Sequence, residues 1–395
     1  MNRPSTRPED LLAAYRTGRS FFTSRNGTLL TDGVRAELPA YDGPDGAATL
    51  PRRVDELLRA TPRASGEVLA IGAIPFEHDR PAFLTVPEAV WRSGPLPVAA
   101  EPRTAPEPTA GWQFTRLLPD QQGYAAAVAD AVGRFAGSPL EKVVLARTAM
   151  LTAPGPVDVP ALVATLAGLD PTGYTFAVEM PLAWSGGRGQ FVGATPELVV
   201  ARAGNRVVAH PYAGSARRSP DPAVDRERGE RLASSPKDRR EHAVVVEDIV
   251  GILRPFCRTL TVPPGPELVH TRAMWHLATR IEGELADPAT TSLDLACALH
   301  PTPAVGGRPT DLARQVIAEL EPFDRNCFAG MVGWTDAAGD GEWVLALRSA
   351  EVAGERLRLF AGAGIVAGSV PESEVAETAA KFRTMLDALG VADEL

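Results

Sequence analysis

The chain carries 40 basic side chains, and only three are lysine: Lys142, Lys237 and Lys381. Lys142 opens the apolar run KVVLARTAML (142–151). Arginine stays protonated under all ordinary conditions, whereas a lysine in a dry site can give up its proton and act as a base. A lysine at the head of such a run is thus a candidate general base, unless the three lysines are chance survivors of a coding bias. Glu197, in GATPELVV, follows a proline turn and starts a run of Leu and Val. If buried there, its carboxyl holds its proton at neutral pH and can serve as a general acid; if exposed, it is an ordinary turn residue.

Two carboxylate pairs stand at i, i+3 near the start of helix-like segments: Asp238 with Glu241, and Glu374 with Glu377. Each pair shares one helix face. If the two faces meet, they form an oxygen-only site suited to a hard cation, Mg²⁺ above all. Acidic residues in a first helical turn also complement the macrodipole, so spacing leaves both readings open. Lys381 follows Glu377 by four residues, the spacing of a surface ion pair. Arg348, in VLALRSA, alternates with apolar neighbours and either points into a pocket or ends a strand in solvent. A hydrogen-bonded core histidine accounts for His276 in WHLATRIEG. AGAGIVAGS (361–369) is glycine-rich and precedes a helix. No Lys-Ser or Lys-Thr follows it, so it is not a P-loop, yet a turn of glycines offers backbone N–H groups to a carboxylate.

These residues need elements to hold them. Helices are predicted over 124–138, 159–169, 238–256, 309–320 and 372–389 from apolar periodicity and stop signals. Strands are predicted over 142–151, 174–180 and 190–194, in a hairpin over 197–210 about Ala203, Gly204 and Asn205, and in a run over 328–366. Residues 1–110 contain weaker strand signals at 66–76 and 82–92, and 96–111 reads as a linker or exposed loop. The strands come in hairpins rather than in βα alternation, which predicts an α+β fold with antiparallel sheets.

Composition narrows the functional classes. A formal charge of −9 and a pI near 5.3 argue against nucleic acid and anionic membranes as partners. An anionic small substrate then needs a local cationic pocket or a metal. Cys257, Cys297 and Cys327 form no CxxC pair and no even disulfide framework, as expected of a reducing compartment. The first twenty residues lack the apolar run of a signal peptide, and no uncharged run approaches the ~18 residues of a membrane span. The expectation is a cytoplasmic protein.

Seven segments, in order, resemble the signature blocks of the chorismate-utilising enzymes, the family of isochorismate synthases, salicylate synthases, anthranilate synthase large subunits and aminodeoxychorismate synthases. They are HPYAGSARRS (210–219), SSPKDRREH (234–242), MWHLATRIEG (274–283), LHPTPAVGG (299–307), ELEPFDRNCFAGMVGW (319–334), EWVLALRSA (342–350) and LFAGAGIVAGS (359–369). The resemblance spans about 115–390. It implies one large body of packed antiparallel sheets with helices outside, in which 111–395 is the chorismate-binding catalytic region and 1–110 a weakly marked part of the same fold. It implies Mg²⁺ as cofactor, with Glu241, Glu374 and Glu377 as ligands and Asp238 nearby. It assigns Arg348, Lys381 and the backbone of Gly362, Ala363 and Gly364 to the substrate carboxylates, with Ser215 and His276 in the same pocket.

The resemblance also orders the members. Lys142 falls where the water-using members carry a lysine base. Water deprotonated by Lys142 attacks C2 of the ring, and Glu197 protonates the departing C4 hydroxyl. Ala213 stands where aminodeoxychorismate synthases place a nucleophilic lysine, which disfavours that activity. LHPTPAVGG is similar to isochorismate synthases. The expectation is therefore a monomeric, Mg²⁺-dependent isochorismate synthase serving siderophore or related metabolism, with menaquinone as another outlet. A salicylate synthase, which also expels pyruvate, is the alternative. The difference is expected in the packing of Ala304, Val305 and Phe328.

Overall fold

The computed structural model describes residues 7–41, 43, 45–62, 67–77, 79–98, 106–107 and 110–392. Most of the linker expected over 96–111 lies outside the described residues. Among those described, two large antiparallel sheets dominate. One is ten-stranded and runs Gly307–Arg308, Lys142–Thr152, Arg356–Ile365, Ser349–Ala353, Gly187–Thr195, Tyr174–Leu182, Phe21–Thr23, Thr28–Asp32 and Ala89–Ser93, with Gln113–Leu118 also pairing on Lys142–Thr152. The other is nine-stranded, ordered Cys257–Thr261, Ile281–Leu285, Arg206–His210, Leu198–Ala203, Gly341–Leu345, Met331–Asp336, Leu69–Ile74, Phe83–Val86 and Ala36–Glu37. A three-stranded sheet of Tyr212–Arg217, Met274–Ala278 and Glu267–His270 flanks them.

Side-chain alternation explains the layering. Phe22, Leu29, Phe176, Val178 and Phe191 of the larger sheet meet Leu69, Ile71, Leu198, Val332 and Val344 of the other. Their neighbours Phe21, Leu30, Ala177 and Val192 face outward and are covered by the helices Val159–Leu169 and Pro371–Leu389. On the far side Val200, Val207 and Trp343 pack against Gly46–Ala60 and Ser292–Leu299 through Leu50, Val54, Leu293 and Ala296. Both faces of the inner strands are buried, so they read as continuous apolar runs: all six residues of Leu69–Ile74 are buried.

The structure corrects several expectations. VLALRSA is not one strand. The chain leaves Gly341–Leu345, passes through residues 346–348 and enters Ser349–Ala353 in the other sheet. Two of the three glycines of AGAGIVAGS do not form a turn: Gly362 and Gly364 lie within the strand Arg356–Ile365, and Gly368 lies in the turn after it. The helix Pro222–Ser234 carries too few apolar residues for periodicity to find. Asp221 caps it by accepting from the Ala223 and Val224 amides (2.8 and 3.2 Å), and Arg218 binds Asp225 at 2.7 Å. Ser292–Leu299 is set by a capping box between Thr291 and Asp294.

Candidate active site

Two of the places where the chain passes from one large sheet to the other each put a chemical side chain between them. Pro196 and Glu197 link Gly187–Thr195 to Leu198–Ala203; residues 346–348 make the reverse crossing. The crossings are tied together, because the Leu345 amide donates to the Glu197 carbonyl at 3.1 Å. With the three-stranded sheet they enclose a cleft of about 990 Å³, counted with its open mouth, which is the size of a small-molecule site.

Lys142 lies at the start of its strand, 3 % exposed, with Nζ 2.9 Å from Glu241 Oε1. Glu241 comes from the helix Pro236–Leu253, whose first turn is capped by Ser235 accepting from the Asp238 amide at 3.2 Å. Gly364 explains how the two meet. A Cβ there would stand 2.8 Å from Glu241 Oε1 and 3.0 Å from Lys142 Cε, so only glycine leaves room. Burial alone would raise the Glu241 pKa, but Lys142 first and then Lys237 and Lys381 outweigh it, and the group stays below its ordinary value.

Glu197 is buried and accepts from the Tyr212 amide at 3.2 Å. Burial pushes its carboxyl up to about 7, against the pull of that hydrogen bond and of Lys142, Arg348 and Lys381. It is therefore a carboxyl that carries a proton near neutrality.

Opposing the carboxyls is a chain of polar side chains. Arg348 donates from Nη2 to His276 Nε2 (3.0 Å), and His276 Nδ1 stands 2.8 Å from Ser215 Oγ. A guanidinium has no acceptor, so Nε2 must accept; the neutral ring then carries its proton on Nδ1 and donates to Ser215. Burial, followed by Arg348 and Lys381, holds the imidazole well below its ordinary pKa, in keeping with that tautomer. Arg348 has φ +46°, a left-handed conformation that costs a non-glycine residue about 1–2 kcal/mol. Its Nε and Nη1 are buried without a hydrogen-bond partner. Such an orphaned edge is a penalty that an incoming carboxylate removes by a bidentate contact.

Lys381 Nζ bridges Glu377 Oε1 (2.8 Å) and the Gly362 carbonyl (2.7 Å), so the i, i+4 pair exists and faces the cleft. Glu374 is buried on the same helix, and burial first, then the Glu377 charge, pushes it up to about 7. Asp238 is also raised, chiefly by burial, and lines the cleft. Among the described residues no three His, Cys, Asp or Glu side chains stand at the spacing of a ready-made metal cage. Mg²⁺ asks for less, since it keeps waters and takes one or two carboxylates plus substrate oxygens. The acids here are oxygen donors, and the Glu377 charge beside buried Glu374 is a repulsion that a cation would relieve, so the donor set fits that ion.

Lys142, Glu197, Ser215, His276, Arg348, Gly362, Gly364, Lys381, Glu241, Glu374 and Glu377 all come together around the cleft. Ala363 does not. It alternates away from its neighbouring glycines and its methyl packs in the core. Tyr212, Arg325 and Lys237 line the cleft and were missed by sequence reasoning. Lysine scarcity was a usable signal for Lys237, because all three lysines of the chain border this one space.

A buried acid–base pair, a guanidinium with one unpaired edge and clustered carboxylates between two antiparallel sheets define an enzyme for a small carboxylate substrate. More narrowly, the chain belongs to the chorismate binding enzyme family, whose profile matches residues 88–390. It is 47 % identical over 389 residues to the isochorismate synthase DhbC of Bacillus subtilis (strain 168), covering 98 % of this chain and 97 % of that protein. A crystal structure from Bacillus anthracis, assigned as a 2,3-dihydroxybenzoate-specific isochorismate synthase, DhbC, superposes with a TM-score of 0.91 at 43 % identity, covering 97 % of this chain and 100 % of that one. The menaquinone-specific isochorismate synthase MenF of Escherichia coli gives a TM-score of 0.77 at 27 % identity, covering 96 % and 90 %. Among the described residues no helix is long and apolar enough to cross a membrane.

Proposed function

We propose that this protein is an isochorismate synthase, interconverting chorismate and isochorismate. The observation that carries the reading is Lys142 and Glu197 facing one cleft in a chain similar over its length to isochorismate synthases. Lys142 takes a proton from the water that forms the new bond to C2. Glu197 gives its proton to the C4 hydroxyl, which leaves as water, so the atoms balance as an isomerisation. The Glu197 carboxyl, held near 7 by burial, carries the proton this step needs. The free edge of Arg348, with Lys381, receives a substrate carboxylate. Ser215 and His276 brace Arg348 from behind.

Glu241, Glu374 and Glu377 would hold Mg²⁺ together with the substrate's ring carboxylate. The ion supplies charge neutralisation and orientation of a dianionic substrate. The similarity to DhbC proteins supports supply of isochorismate to 2,3-dihydroxybenzoate-type catechols.

The test is product analysis by HPLC after mixing purified protein with chorismate, with and without Mg²⁺. Isochorismate approaching a reversible equilibrium, abolished by EDTA and restored by Mg²⁺, is the expected result. Salicylate with stoichiometric pyruvate would move the protein to the lyase branch, and absence of turnover would overturn the reading.

A further inference from the structure

The strand Lys142–Thr152 is paired along its length on one edge by Arg356–Ile365. Its other edge is paired only at the ends, by Gly307–Arg308 opposite residues 142–143 and by Gln113–Leu118 opposite residues 148–152. No described strand lies opposite residues 144–147, the segment just after Lys142. Two side chains occupy the gap. Arg325 Nη2 donates to the Val144 carbonyl at 2.7 Å, and the Ala146 amide donates to Glu321 Oε1 at 2.7 Å. Arg325 Nε closes the pair on Glu321 Oε2 at 2.8 Å, and Nη1 donates to the Val305 carbonyl at 2.9 Å. The Arg325 carbonyl accepts from the Phe328 amide at 2.9 Å.

We propose that Glu321 and Arg325 are positioning residues: a side-chain rung that substitutes for the missing strand and fixes the general base Lys142 relative to the wall formed by Val305 and Phe328. This deepens the isochorismate synthase reading and rests on it. Both side chains are 3 % exposed. Ion pairs so deeply buried add little stability beyond what an apolar pair of similar volume offers. An apolar pair would leave the Val144 carbonyl and the Ala146 amide unpaired, and it could not tie them to Val305. Only a planar fork serves Val144, Val305 and Glu321 together, which lysine's single ammonium does not. Arg325, Val305, Phe328 and Lys142 all border the cleft, so the rung joins the base to another part of the cleft wall.

Arg325→Lys and Glu321→Gln test this beside the wild type, with Mg²⁺ and chorismate. The readouts are kcat and KM by HPLC, far-UV circular dichroism, and amide hydrogen exchange over residues 143–147. The expected result is a folded variant with faster exchange in that segment, kcat at least tenfold lower and KM within threefold of wild type. A folded variant with wild-type kcat overturns the proposal even if exchange quickens, because the rung then holds backbone without positioning the base. Failure of both variants to fold also overturns it and leaves a stability element. A wild type that makes no isochorismate is a different failure: it removes the functional reading itself.

Discussion

In the proposed reaction Lys142 and Glu197 divide the proton transfers, and each role has its own signature. Lys142→Ala removes the base without disturbing the sheet ladder. It should lower kcat by about 10²–10⁴-fold with an unchanged circular dichroism spectrum. Activity within tenfold of wild type would sink the role. Glu197 titrates near 7 where a free glutamate titrates near 4.5. As general acid it works while protonated, so kcat should fall as pH rises through about 7. The same shift bears on stability. The raised carboxyl costs nothing below about 4.5, where folded and unfolded chains are both protonated; its cost builds as pH rises from about 4.5 to about 7 and is constant above that, where both are ionised. A shift of that size amounts to about 3–4 kcal/mol. Glu197→Gln should therefore stabilise the ligand-free protein more at pH 8 than at pH 5, measured by urea denaturation. Equal gains at both pH values would show that the carboxyl is not held protonated. Glu374, also near 7, titrates over the same window, so the wild-type stability profile is the sum of both.

At the level of elements, the site depends on how closely a strand and a helix approach. Gly364 lets the Glu241 helix come within ion-pairing distance of Lys142. Gly364→Ala puts a methyl against the tip of a flexible side chain, which the fold can absorb by turning Glu241 away. The expected outcome is a melting temperature within a few degrees of wild type but kcat at least tenfold lower. Unaltered turnover would mean that the Lys142–Glu241 pair does not matter for catalysis. Gly364 of the AGAGIVAGS segment thus acts by clearance within a strand, not as part of a loop of amides. That distinction could not be read from glycine content, since a strand and a turn are equally open to glycine.

For the whole molecule, the amino-terminal segment is part of both sheets. Phe21–Thr23 pairs with Tyr174–Leu182, and Leu69–Ile74 pairs with Met331–Asp336. Removing it would expose Phe176, Val178 and Val332 of the inter-sheet core. Each such side chain is worth about 1.5–3 kcal/mol when buried, against a total stability of about 5–15 kcal/mol. A fragment of residues 111–395 should consequently fail to fold cooperatively and bind the dye ANS. A soluble, cooperatively melting fragment would mark 1–110 as a separable unit. Net charge is also a whole-molecule matter. The chain carries −9, and the cleft gathers Lys142, Lys237, Lys381, Arg325 and Arg348 beside Glu197, Asp238, Glu241, Glu374 and Glu377. An anionic substrate is therefore received by local contacts such as the open edge of Arg348 rather than by the net charge of the molecule.

Much of this was legible in order along the chain. Local periodicity located the helices that carry Glu241 and Glu377, and the lysine count pointed to Lys142, because those signals lie within a few residues of the groups concerned. The helix Pro222–Ser234 was not legible, since capping and one ion pair, not an apolar stripe, hold it. Nor was the break at Arg348, because an apolar run looks the same whether it stays in one sheet or crosses to another. The sequence by itself determined which side chains were available for acid–base and carboxylate chemistry. Tertiary structure alone decided that Glu197 is buried, that Arg348 keeps an unpaired edge, and that Glu321 and Arg325 fill a gap in a sheet. Burial and hydrogen-bond satisfaction depend on residues far apart in the chain, 181 positions between Val144 and Arg325, and no local pattern encodes them.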